Sequence, residues 1–315
     1  MDDTNTQTKT LAEVFGLDSE VMIPIRTYGA EEQGLASYVP RVDPHYKFRK
    51  ELVQILLYWL FGREQQNLFL HGPTGAGKSS LVEQGAARLG LPVFKVSCHA
   101  RTEYPEFTGL YIKGGHEFCE GPLTKAMKAG GIFLMDEGDQ LNPSAAMGTN
   151  AALDGKSILV VETGEVIEPH PNFRIAITGN SAGSGDRARI YKGVTAQNPA
   201  WLDRSMSVII DYMSPEEEVA VIRAAVPTMD ACYSEAMIRV ANEVRDLFKG
   251  VQETGMNHTI STRTLVRWAQ MSVAFADSTA QPVMDALKPA FLNRLDPDQA
   301  RAVEGICSRV FGRNV

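Results

Sequence analysis

The run Gly72-Pro73-Thr74-Gly75-Ala76-Gly77-Lys78-Ser79 narrows what this chain can fold into more than any other segment. Its three glycines give the backbone conformations closed to other residues, so that successive N–H groups can turn inward around one anion. Asn67 to His71, just before it, is a short apolar run that reads as a buried strand. Ser79 to Leu89, just after it, has a helical pattern that stops near Gly90 and Pro92. Strand, glycine turn and helix form the setting in which the spacing Gly-x4-Gly-Lys-Ser holds nucleotide phosphates at a helix N-terminus. In that setting Lys78 neutralises the β- and γ-phosphates, Ser79 ligates Mg2+, and the cradle extends to Ser80. ATP and Mg2+ are therefore the expected cofactors. The competing reading is a glycine-rich turn that fits the pattern by chance.

Four more apolar runs follow, Val93 to Ser97, Ile132 to Met135, Arg174 to Thr178 and Val208 to Ile210, separated by helical patterns. Uninterrupted apolar strands alternating with helices predict an α/β domain, a parallel five-stranded sheet sandwiched by helices. Two segments break the alternation. Leu110 to Cys119, around Gly114-Gly115, and Ile158 to Ile167, around Thr163-Gly164, read as β-hairpin insertions. Lys50 to Phe61 reads as a buried helix. Beyond Pro215 only helical patterns remain: Glu216 to Ala225, Ser234 to Lys249, Thr262 to Ala276, Pro282 to Asn293 and Pro297 to Val310. At 315 residues the chain exceeds what one core usually organises. The expected division is an N-terminal arm at 1–45, an α/β nucleotide-binding domain at 46–214 and an all-helical lid domain at 215–315. Pro24, Pro40 and Pro44 argue for an arm with little regular structure of its own.

Ile132-Phe133-Leu134-Met135 runs into Asp136-Glu137. Downstream of a phosphate loop, an acid ending a strand can hold magnesium through its water shell, the role expected of Asp136. Glu137 is placed to polarise the attacking water as a general base. Asn180, after the fourth strand, can orient water beside the γ-phosphate; asparagine there is also a common turn residue. Arg204, before the fifth strand, fits an arginine finger acting in trans. Arg263, at the start of a helix in the second domain, fits a group that folds back onto the nucleotide. Each arginine fits a surface salt bridge equally well. Arg174, Arg187 and Arg189 are weaker candidates. His99, the Gly115-His116 pair and Cys119 stand singly and receive no role.

The charge balance excludes some partners. Thirty-one basic against 38 acidic side chains leave a net charge of −7, and no basic-aromatic cluster stands out, so nucleic acid is not the expected partner. Cys98, Cys119, Cys232 and Cys307 are scattered, without the paired spacing of a zinc site, as suits a reducing cytosol. The longest apolar stretch, Leu52 to Phe61, is too short to span a bilayer. The acidic N-terminus does not read as a secretory signal. A cytoplasmic protein is expected.

Taken in order, these motifs resemble an AAA+ ATPase. The hairpin leading into Gly121-Pro122-Leu123, and the second hairpin before Asn180, resemble the MoxR branch, which includes the CbbQ and NorQ activases. Within it, several landmarks are similar to CobS-like ATPase subunits of aerobic cobaltochelatase: Glu13-Val14-Phe15-Gly16-Leu17-Asp18, Tyr38-Val39-Pro40 with Asp43-Pro44, Pro169-His170-Pro171 before Phe173-Arg174, and Gly183-Ser184-Gly185-Asp186 after Asn180. Ser261-Thr262-Arg263 departs from the Ser-Pro-Arg usual there. The resemblance implies a ring, usually a hexamer, and a CobT-like partner with a von Willebrand A domain. In a chelatase setting it also implies a large CobN-like subunit and cobalt insertion driven by ATP. It further implies that Arg204 acts as the trans finger, Arg263 as a second sensor, and that Tyr38 to Pro40 lie near the adenine. The alternative is an activase or chaperone of the MoxR, CbbQ or NorQ kind, working with a von Willebrand A protein and having no cobalamin role. A nucleic-acid motor and a binding-only switch are the readings from other classes.

Overall fold

The computed structural model describes residues 6–29, 32–64, 66–112, 114, 117–185, 191, 193–250 and 255–312. Arg187, Arg189, Asp186 and the Gly115-His116 pair lie outside the described residues. The chain divides into two compact units. One contains Met1–Pro44, Phe48–Pro73 and Gly77–Ile210; the other contains His45–Lys47, Thr74–Ala76 and Asp211–Val315.

In chain order the first unit contains β1 (Thr6–Thr10), α1 (Leu11–Phe15), β2 (Met22–Arg26), α2 (Gln33–Ala36), α3 (Lys50–Phe61), β3 (Asn67–His71), α4 (Lys78–Leu89) and β4 (Val93–Ser97). It continues with α5 (Tyr104–Thr108), β5 (Gly109–Ile112), β6 (Glu117–Glu120), α6 (Pro122–Ala129), β7 (Ile132–Asp136), a 3-10 turn (Gly138–Gln140), α7 (Pro143–Gly148) and α8 (Asn150–Leu153). The last elements are β8 (Ile158–Val160), β9 (Glu165–Ile167), β10 (Arg174–Gly179), α9 (Pro199–Leu202) and β11 (Ser205–Ile209).

Five strands form one sheet in the order β11-β3-β10-β7-β4, every pair parallel. The three central strands are buried almost throughout, with Leu68, Leu70, Phe133, Leu134, Met135 and Ala176 sealed from solvent. That burial explains why they read as continuous apolar runs rather than alternating ones. Register then decides the rest. Gly179 lies opposite His71, Ile177 opposite Met135, and Ser97 opposite Asp136. The carboxyl ends of β3, β10 and β7 therefore finish level, and the chain leaves all three along one edge. In open α/β sheets, ligands bind at this edge.

Both expected insertions are antiparallel hairpins. β5 pairs with β6 through Leu110 and Cys119, and β8 with β9 through Ile158 and Ile167. They expose Leu110, Tyr111, Ile112, Leu159, Val161 and Val166. The expectation for the arm is corrected. β1 and β2 pair antiparallel from Thr6 opposite Arg26 to Thr10 opposite Met22. Thr10 and Glu13 form a capping box that starts α1, which buries Val14 and Phe15. Pro24 is tolerated because a two-stranded ribbon leaves each strand with one unpaired edge, where a missing N–H costs nothing.

The second unit is helical: α10 (Pro215–Ala225), α11 (Ala231–Lys249), α12 (Thr262–Phe275), α13 (Pro282–Ala290), a 3-10 turn (Leu292–Arg294) and α14 (Pro297–Phe311). Ser214, Asp230, Ser261 and Asp296 cap α10, α11, α12 and α14 through side-chain oxygens. Proline occupies the first turn of α10, α13 and α14, where no N–H is needed. The helix expected to reach Asn293 ends at Ala290. A second proline inside it, Pro289, removes a backbone donor, and the chain tightens into the 3-10 turn. Among the described residues no helix is long and apolar enough to cross a membrane.

Candidate nucleotide site

Local geometry explains the loop sequence first. Gly72 has φ of 147°, and a Cβ there would meet the Ile210 carbonyl oxygen at 2.0 Å, so only glycine lets the backbone turn at the end of β3. The loop closes onto α4 at Gly77, whose left-handed conformation caps the helix. Lys78, the first residue of α4, is buried. Its Nζ donates to the carbonyls of Gly72 and Pro73 at 2.8 and 2.9 Å and to Oδ1 of Asn180 at 3.1 Å. Burial lowers its pKa to about 8, against the pull of Asp139, Asp136 and Glu137, which favour the charged form.

Ser79 donates its hydroxyl to Oδ1 of Asp136. The same oxygen accepts from Thr178 at 2.6 Å, and Oδ2 is paired with Lys95 at 2.7 Å. Burial works to raise the Asp136 pKa, but the bonds from Lys95, Ser79 and Thr178 outweigh it and hold the carboxyl below its ordinary value. Lys95 also pairs with Glu83 at 3.0 Å. Its own burial, which works to lower its pKa, is overcome by these two carboxylates.

Glu137 follows with φ of 59°, the one non-glycine residue with positive φ among those described. Such a conformation costs about 1–3 kcal/mol and persists only where its surroundings impose it. Here the Glu137 N–H donates to Thr178 Oγ1 at 3.1 Å, and Gln140 donates to the Glu137 carboxylate at 2.7 Å. The side chain stays exposed at the loop edge.

The structure thus brings two hydrogen-bonded pairs, Lys78 with Asn180 and Ser79 with Asp136, to one edge of the sheet, with Glu137 next in the chain. An oxygen pair of hydroxyl and carboxylate, next to a glycine-rich loop at the N-terminus of α4, suits Mg2+ and a polyphosphate. Among the described residues no cluster of His, Cys, Asp and Glu offers a different metal site.

Other expected residues lie elsewhere. Arg204 precedes β11, at the end of the sheet opposite the loop, since Ser205 lies opposite Asn67 at the start of β3. Its Nε pairs with Asp154 at 2.7 Å and a terminal nitrogen donates to the Ala200 carbonyl; the side chain is 29% exposed. Arg174 is corrected as a finger candidate. It is buried, donating to the carbonyls of Trp59, Leu60, Pro171 and Phe173, and so ties the end of α3 to the start of β10. Arg263 is exposed in the first turn of α12 in the second unit.

Tyr38 is also corrected. Its carbonyl accepts from Val93 N at 2.9 Å and its ring sits 4.5 Å from Phe94. That is the amino end of β4, about 13 Å along the strand from the loop edge at 3.3 Å per residue. The chain then returns along α4. Gln84 binds the backbone of Arg41 and Asp43, and Arg88 donates to the Asp43 carbonyl. His45–Lys47 next joins Thr74–Ala76 in the second compact unit.

Sequence reading missed Lys95, Thr178, Asp139 and Gln140. Lysine in the middle of an apolar strand is a signal for Lys95; Thr178 and Asp139 become visible only through register, and Gln140 only through the tight turn that follows Glu137.

Two family models match in succession: "AAA domain (dynein-related subfamily)" at residues 67–197, and "CbbQ/NirQ/NorQ C-terminal" at residues 217–310. The chain is 28% identical over 314 residues to aerobic cobaltochelatase subunit CobS from Sinorhizobium sp, covering 97% of this chain and 91% of that protein. It is 34% identical over 202 residues to protein CbbQ from Hydrogenophilus thermoluteolus, covering 63% of this chain and 71% of that one. Among solved structures, a mutant RuvB from Thermotoga maritima superposes with a TM-score of 0.50 at 13% identity, covering 80% of this chain and 73% of RuvB, a likeness of fold.

Proposed function

The chain belongs to the CbbQ/NirQ/NorQ family of AAA ATPases, and from that premise we propose a CobS-like motor subunit that hydrolyses ATP within a ring and drives a partner protein. One observation carries the reading of the site: Lys78 and Ser79, adjacent at the start of α4, bond respectively to Asn180 and Asp136, so that groups from three strand ends, spread over about a hundred positions, meet at one edge of the sheet.

In this reading the loop from Gly72 to Ser80 wraps the β- and γ-phosphates with the backbone N–H groups that follow Pro73, and Lys78 exchanges its loop carbonyls for phosphate oxygens. Ser79 and, through water, Asp136 hold Mg2+, which when bound supplies positive charge against the triphosphate. Glu137 takes a proton from the attacking water, and Asn180 keeps that water in line. Arg204 acts on the nucleotide of the neighbouring subunit, its place at the far end of the sheet being unsuited to its own loop. Arg263, in the first turn of α12, serves as the second sensor arginine. The test is phosphate release from purified protein with ATP and Mg2+; no turnover above background removes the reading.

For the partner, the 97% coverage against CobS favours the chelatase setting, with a CobT-like von Willebrand A protein and a large CobN-like subunit. A second reading has its own support. The C-terminal helices match the CbbQ/NirQ/NorQ model, and identity to CbbQ is higher over its shorter span, which favours an activase without a cobalamin role. Affinity capture from the native cell separates them. A von Willebrand A protein together with a large chelatase subunit supports the first; a von Willebrand A protein with a different enzyme supports the second.

A further inference from the structure

The 3-10 turn after Glu137 carries a carboxylate that the proposed reaction does not use. Asp139 is 0% exposed. Its Oδ2 accepts three hydrogen bonds, from Asn180 N at 2.8 Å, Ser181 N at 2.9 Å and Ser181 Oγ at 3.2 Å. Its Oδ1 makes no hydrogen bond among the described residues. Its own carbonyl accepts from Thr195 N at 3.0 Å, which fixes the turn from the other side.

A buried carboxylate is costly unless donors surround it. All of the donors gathered here come from the two residues that follow β10. The backbones are also pressed together at this point. A Cβ on Gly179 would meet Asp139 Cγ at 2.9 Å, and one on Gly138 would meet Ile177 Cγ2 at 2.6 Å. Two glycines, one on each segment, thus make room for the contact. The next residue on one segment, Asn180, reaches Lys78 with its side chain. The neighbour on the other, Gln140, holds Glu137. One turn therefore fixes the proposed base and the proposed water-orienting amide against each other.

We propose that Asp139 is a positioning residue for hydrolysis: its carboxylate clasps the backbone of Asn180 and Ser181 and sets the place of the Asn180 side chain relative to Glu137. The proposal rests on the reading of Asn180 as a group that turnover needs. It differs from a simple fold staple in one consequence. If Asp139 acts through Asn180, losing both costs no more than losing Asn180.

Asp139→Asn keeps the shape but not the charge. Turned either way, its amide leaves a donor in a buried place with no acceptor. The experiment compares full-length wild type, Asp139→Asn, Asn180→Ala and the double variant for kcat, for the Kd of a fluorescent ADP analogue and for thermal midpoint. Expected is a loss of about tenfold or more in kcat for each single variant, the scale of one misplaced group in a reacting site, with the nucleotide Kd within about threefold. The double variant should match Asn180→Ala within about twofold, because coupled residues do not add. Should Asp139→Asn not fold, Ser181→Ala removes one arm of the clasp. It should lower kcat a few-fold in the wild type and not at all in the Asn180→Ala background. Losses that multiply, or an Asp139→Asn protein turning over at the wild-type rate, overturn the proposal while leaving Asn180 in place. A fully active Asn180→Ala protein removes the role of Asn180, and this proposal with it.

Discussion

Every Nζ donor of Lys78 has an oxygen partner within the site, two loop carbonyls and the amide of Asn180. A buried ammonium cannot be left without acceptors, so the loop itself stands where phosphate oxygens would be. Lys78→Ala takes away both the charge and the bonds that transfer to phosphate. Nucleotide affinity should fall about 10- to 100-fold, the worth of charge-assisted hydrogen bonds, as read by titration of a fluorescent ADP analogue. An unchanged Kd would mean that the loop does not hold phosphate. Glu137 predicts the opposite split. Its backbone is held in a left-handed conformation by Thr178 and its carboxylate by Gln140, and it contributes nothing to the cradle. Glu137→Gln keeps the shape and loses the base. Binding should persist while turnover falls by about 10²- to 10⁴-fold, the usual contribution of a positioned general base. Phosphate release at the wild-type rate would take Glu137 out of the reaction.

Among the described residues, the helices of the second unit share a buried ion pair. Arg245 of α11 donates to both Glu218 oxygens, of α10, at 2.7 and 2.8 Å, while Thr262 of α12 donates to Glu218 at 2.7 Å and the Tyr212 ring lies 4.0 Å from the guanidinium. Glu218 is 0% exposed. Arg245→Leu would leave its carboxylate without a counter-charge, at a cost of about 3–5 kcal/mol. Urea unfolding followed by Trp268, buried in α12, should show it; changing Glu218 to Leu as well should recover most of the loss, since an apolar pair carries no stranded charge. A single variant as stable as the wild type would show that water reaches the pair. Elements of this kind were unevenly legible. The sheet strands were plain because both faces are covered, so the buried runs of β3 and β7 could be little else. The loop and the acids of Asp136 and Glu137 were legible because their spacing is local. Lys95, Thr178 and Asp139 were not, because their roles arise from register between segments 40 or so positions apart. The arm was misread because its prolines suggested irregular chain, while Pro24 lies in a ribbon with free edges. Tyr38 was misplaced because likeness gives an order of landmarks, not the strand end where each one lies.

On the scale of the whole molecule, what needs explaining is Arg204. It sits at the amino end of an edge strand, while the phosphate loop leaves the carboxyl end of the neighbouring strand. Within its own chain it is tied to Asp154 and the Ala200 carbonyl. A surface pair of this exposure contributes little, so exchanging Asp154 for a phosphate of another subunit meets little resistance. If one chain supplied every group, two defective variants could never repair each other. If the site is shared across a ring seam, they can. Arg204→Ala alone should bind ATP and hydrolyse almost none, and so should Glu137→Gln. Mixed in equal amounts and allowed to exchange subunits, the two should regain turnover. By random pairing about one seam in four joins an intact Glu137 to an intact Arg204 on the next subunit. Recovery approaching that share of the wild-type rate, growing with exchange time, is the expected result. If Arg204→Ala is inactive yet mixing restores nothing after verified exchange, the arginine serves its own subunit. If Arg204→Ala is fully active, the Asp154 pair is its whole role, and another arginine must cross the seam.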